Sequence, residues 1–197
     1  MSLNDEDVDE GARSEDRVRE AQEIARRSLA LFGVIGLALR SPREEVLGWL
    51  KQASLWSELS PLELAYAESL SPTDRQRINA SWRSEALLVL LWALGLVEQM
   101  PALNEQCDTS KFQAILPPFA DITVDAFIAS AQRRSEDVLL DMAADLLDAH
   151  WSARDALIHG KAMPAHLDIG IIQERHHAIN WVIGYEGLPW DEVPTDT

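Results

Sequence analysis

The stretch ERHHAINWVIG, residues 174–184, sets one arginine, two histidines and an asparagine in a single helical turn and a half. Histidine can exchange protons near neutral pH, and arginine offers a planar fork of donors to a carboxylate or phosphate. Stepping each residue by the ~100° turn of an α-helix splits the group. Gln173, His177, Asn180 and Gly184 gather on a polar side, while Ile171, Ile172, Ala178, Ile179, Val182 and Ile183 form an apolar arc. On that wheel His176 lies at the apolar rim and Arg175 lies inside the arc, between Ile179 and Val182. The same projection of residues 135–159 places His150 near the centre of an arc of Leu139, Met142, Leu146, Leu147, Trp151, Ala153 and Leu157, with Arg154 beside it.

A guanidinium carried on an apolar arc must find a carboxylate, reach water or face a ligand, because a buried unpaired charge costs several kcal/mol. Glu85, on the most apolar helix, and Asp191, Glu192 and Asp196 in the final segment LPWDEVPTDT are the available acids. The final segment is the favoured one, since Trp190 can bury a large ring and Asp191 or Asp196 can accept two bonds from a guanidinium. Arg154, Arg175, His176, Asp191, Asp196, His150 and Glu85 are therefore expected to form one polar cluster. It would be either a clamp that fixes the C-terminal segment or a site for an anionic ligand, with His176 as acid or base.

A second stripe, Asp141, Asp145, Asp148, Ser152, Asp155 and His159, runs along one side of the 135–159 helix. Hard cations want several oxygens at one point, whereas carboxylates along one straight helix spread over its length. This stripe is expected to be a solvated face, so no metal, cofactor or catalytic residue is assigned. Phosphate-loop, nucleophile-elbow, dinucleotide and HExxH signatures are absent from the sequence.

The elements that would position these residues are helical. SPRE at Ser41, SPLE at Ser60 and SPTD at Ser71 each place a capping serine before proline with an acid at the third helical position. Helices are expected over 14–39, from those three starts, over 123–132, 135–159 and 168–185, with 100–121 irregular apart from possible short strands near Ile115 and Ile122. Gly33 and Gly36 suit a close helix contact or a kink. Glu15/Arg19 and Glu23/Arg27 are spaced as surface pairs. The fold class is all-α: a single-domain, irregular bundle of seven or eight helices around a very apolar central helix at about 78–97. Residues 1–12 read as a loose acidic tail, 13–197 as one domain, and 188–197 as an extended segment packed on the helices.

Thirty-three acidic and 17 basic residues give a net charge of −16, which disfavours nucleic acid and anionic membrane surfaces. The longest dense apolar run, Ala86 to Val97, falls short of the ~18 residues needed to span a bilayer. Cys107 is the single cysteine, which precludes an internal disulfide and suits a reducing compartment. With an N-terminus lacking the basic-then-apolar pattern of a secretory signal, the expected location is cytoplasmic. The expected role is a protein-binding or regulatory module favouring basic partners. Nothing in the sequence specifies an oligomeric state.

WRSEALLVLLWALG, RRSEDVLLDMAADLLDAHWSARDA, and ERHHAINWVIG followed by WDEVPTDT, in that order, resemble an uncharacterised bacterial domain-of-unknown-function family numbered four-two-seven-two. The resemblance extends over roughly residues 20–197. It implies a fold unit and brings no activity, cofactor or site residue. His177 falls at a position the family motif leaves open.

Overall fold

In a computed structural model, which describes residues 17–196, the chain runs through seven α-helices. These are α1 (Ala21–Ala38), α2 (Arg43–Gln52), α3 (Pro61–Glu68), α4 (Asp74–Ala93), α5 (Val124–Ala129), α6 (Glu136–Ile158) and α7 (Ile169–Ile183). Short 3-10 turns occur at Trp56–Glu58, Thr109–Ala114, Tyr185–Gly187 and Trp190–Glu192. No strand occurs among the described residues, so Ile115 and Ile122 lie in irregular backbone. The expected acidic tail, residues 1–12, and Glu15 lie outside the described residues.

Side-chain caps fix the starts of α3, α4, α5 and α7. Ser60 accepts from the Glu63 N–H while the Glu63 carboxylate accepts from the Ser60 N–H, and Pro61 opens α3 as the sequence motif requires. The start read at Ser71 moves to Thr73, which forms the same reciprocal box with Gln76. Serine supplies no cap at α2, whose N-cap is Pro42. A Glu20–Glu23 box opens α1, later than the expected residue 14. At the far end of the chain α7 stops at Gly184, which takes φ +72° with its Cα against the backbone of Arg17. A Cβ there would lie 2.1 Å from the Arg17 carbonyl oxygen, so only glycine closes this helix.

Burial sets the packing order. α4 lies between α1 and α7, and α6 packs on the other side of α7; α2, α3 and α5 lie against α1. From Ala86 to Ala93 every residue of α4 is buried, as a helix enclosed by neighbours must be. It ends at Ala93 and not at Val97, because Gly95 reverses the chain at φ +72° and Arg134 donates to the carbonyls of Trp92 and Val97. Gly33 lets α2 approach α1: a Cβ there would meet the Leu50 side chain at 2.7 Å.

Candidate functional site

The residues expected to form one cluster are divided by the fold among three places. Arg175 is wholly buried and is neutralised by Glu85 of α4, not by the C-terminal segment. Its Nε donates to Glu85 Oε2 at 2.9 Å, and its terminal nitrogens donate to the carbonyls of Pro101 at 2.7 Å and Glu105 at 3.1 Å. Glu85 Oε1 accepts the Cys107 N–H at 2.7 Å. The buried pair therefore fixes the irregular segment after α4 onto α7, with its donors and acceptors filled from within. Burial, then the Glu85 charge, pushes the Cys107 thiol up to about 12, which keeps it protonated and unreactive at neutral pH.

The C-terminal segment is seated on the helices, but by other partners. Asp191 accepts the Leu62 N–H at 2.9 Å in the first turn of α3, where a carboxylate suits the helix dipole. Arg19 donates to the Leu188 carbonyl at 2.8 Å, and Asn180 Nδ2 to the Pro194 carbonyl at 3.1 Å. Trp190 is buried against Trp181, with the Arg27 guanidinium 4.6 Å from its ring centre. Arg27 is itself buried and pairs with Glu63 and the Glu58 carbonyl, while Glu23 pairs with Arg17 and Arg19, so the expected surface pair Glu23/Arg27 does not form. His177, expected on an outward polar side, is buried edge-on to Trp190 at 4.7 Å. Burial, followed by the Arg83 charge, lowers it to about 4.

The third place is the seam between α6 and α7, which brings together His150, His176, Arg154 and Asp196. His150 Nδ1 and His176 Nδ1 lie 3.0 Å apart, both side chains nearly inaccessible. Asn180 Nδ2, oriented by its bond to Pro194, lies 3.1 Å from His176 Nε2, so that nitrogen accepts. The His176 proton then sits on Nδ1 and is donated to His150 Nδ1, and His150 carries its own proton on Nε2. Burial lowers His150 and takes His176 to about 4, the latter with a smaller contribution from His150. At neutral pH both rings are neutral, and the expected acid or base role near neutrality does not fit His176.

Two shallow cavities open on this seam. One of about 220 Å³ is bordered by His150, Arg154 and Gln173. Another, about 190 Å³, is bordered by His176, Asn180, Tyr185 and Asp196 together with Leu140 and Leu147. Between them runs the outer face of α6, where Leu140 is 45%, Leu147 42%, Trp151 58% and Ile158 70% exposed. The sequence wheel places Leu147, Trp151 and Leu157 on the core side, but all three are exposed, Leu157 by 58%. Of the arc read from the wheel, Leu139, Leu146, His150 and Ala153 face inward, joined by Ala143, leaving a second apolar line a quarter-turn away. Asp141, Asp145 and Asp148 are exposed on its far side, and Asp155 pairs with His159 and Lys161. No group of three or more His, Cys, Asp or Glu is placed to share a metal ion among the described residues.

An all-helical single domain with a buried internal ion pair and a grooved, half-apolar outer helix is the class this geometry defines. The chain belongs to the family described as a domain of unknown function, DUF4272, whose model matches residues 10–193. No curated protein and no solved structure matches it.

Proposed function

We propose that this chain is a partner-binding module whose recognition surface is the outer face of α6, and that the partner presents a basic amphipathic helix. The observation that carries this reading is the line Leu140, Leu147, Trp151 and Ile158, spaced at seven, four and seven residues and left exposed. Such spacing is the seam by which one helix packs along another, and an exposed apolar line of this length marks an interaction surface. Tryptophan at its centre has the size and polarity of an interface anchor.

Charge chooses the partner. α6 carries six acids, Glu136, Asp137, Asp141, Asp145, Asp148 and Asp155, against the single cation Arg154. A second copy laid antiparallel would set acidic row against acidic row, while lysines flanking an apolar stripe would complement it. No helix among the described residues is long and apolar enough to cross a membrane, and a lone thiol fits a reducing compartment, which supports placing this function in the cytoplasm.

Calorimetric titration with two synthetic helical peptides, both with leucine at the seam positions and one flanked by lysine, the other by glutamate, tests the proposal. The lysine peptide should bind, more weakly as salt rises, and Trp151→Glu should lower its affinity by about tenfold or more. Equal binding of both peptides, unchanged binding by Trp151→Glu, or a homodimer dispersed by that substitution would each overturn it.

A further inference from the structure

Arg154 differs from the other inward-reaching arginines. Arg27, Arg83, Arg134 and Arg175 each have a carboxylate or carbonyl partner. Arg154, half-buried near the end of α6, makes no hydrogen bond or ion pair among the described residues. It borders the cavity of about 220 Å³ with His150, Gln173 and Thr195, and the remaining wall is apolar, with Leu157, Ile158 and Ile169.

The histidine relay determines what His150 offers there. Because Asn180 donates to His176 and His176 donates to His150 Nδ1, the His150 proton is on Nε2, which finds no acceptor among the described residues. His150 as a whole is only 3% exposed, and it lines the cavity, where this N–H is free to donate. The cavity therefore presents one cationic fork, one imidazole N–H, one amide and the Thr195 hydroxyl. The two histidines stay neutral, so the local charge is a single positive one in a strongly acidic protein.

We propose that this cavity binds a small monocarboxylate, its two oxygens held by Arg154, the His150 N–H and the Gln173 amide, its aliphatic end against Leu157 and Ile169. One guanidinium satisfies a planar two-oxygen anion. A phosphate dianion would leave charge unneutralised against the surrounding acids. The volume, below the ~300 Å³ of a drug-sized pocket, selects a short chain.

The probe is butyrate, with inorganic phosphate as the competing anion, read by NMR of the imidazole nitrogens of the intact protein. Butyrate should shift the His150 and His176 signals saturably below about 50 mM, in the weak millimolar range. Arg154→Met should abolish that shift, and Gln173→Leu, at an exposed position that folding tolerates, should weaken it several-fold. Absence of saturation, or retention of the shift in Arg154→Met and Gln173→Leu, would overturn the site. Phosphate binding as tightly as butyrate would overturn the carboxylate assignment.

Discussion

Arg175 and Glu85 join helices 90 positions apart in sequence and also gather the backbone of residues 101–107, so each removes several buried polar groups if it is lost. Arg175→Met leaves a carboxylate and two carbonyls stranded, and Glu85→Leu leaves a guanidinium. Each should lower stability by about 3–5 kcal/mol in urea denaturation, and the double substitution should cost clearly less than the sum, because the partners fail together. The histidines make a separate prediction. His176 and His177 are held at about 4 in the folded protein against an ordinary 6.5. Between those values the unfolded chain binds more protons, so stability must fall as pH drops from 6.5 toward 4. Each histidine contributes on the order of 2–3 kcal/mol across that window. Glu174, held above the ordinary carboxylate range chiefly by burial, acts in the opposite sense. The histidine share is therefore read from the difference between the parent and His176→Gln/His177→Gln, whose urea midpoint should depend less on pH there.

At the level of elements, the segment after Gly187 behaves as part of the core although it has only one short 3-10 turn. Trp190 and Val193 are 4% and 6% exposed, and both belong to the same apolar cluster as α1, α4 and α7. Ending the chain after Gly187 exposes Trp181 and Arg27 and releases the Asn180 and Arg19 contacts. Loss of a buried tryptophan alone costs about 3–5 kcal/mol, so the truncated protein should unfold at much lower temperature in calorimetry. An unchanged transition would show that the segment contributes nothing. The ion pairing expected to hold this segment is replaced by a Trp190 anchor, main-chain carbonyl contacts and a helix N-terminus, a set of weaker links distributed over α1, α3 and α7.

Over the whole molecule, the proposed recognition surface joins an acidic surface to the apolar line on α6. Because Trp151, 58% exposed, faces outward, Trp151→Glu should leave the unfolding free energy in urea within about 0.5 kcal/mol of the parent while removing the proposed binding. A large stability loss would mean the face belongs to the core. The sequence by itself determined the all-helical class, the enclosed centre at α4, the cap at Ser60 and, to within a few residues, the bounds of α5, α6 and α7. These follow from spacing and capping chemistry within a few residues, which the chain encodes locally. It also marked Arg175 as needing an acid and offered Glu85 among the choices. Tertiary structure alone decided that Glu85 is that acid, that Glu63 belongs to Arg27, and that His177 is covered. It also decided which of two apolar lines on α6 is buried. A helical wheel gives the direction of a side chain but not the neighbour it meets, and pairings separated by dozens of residues are settled only when the helices pack.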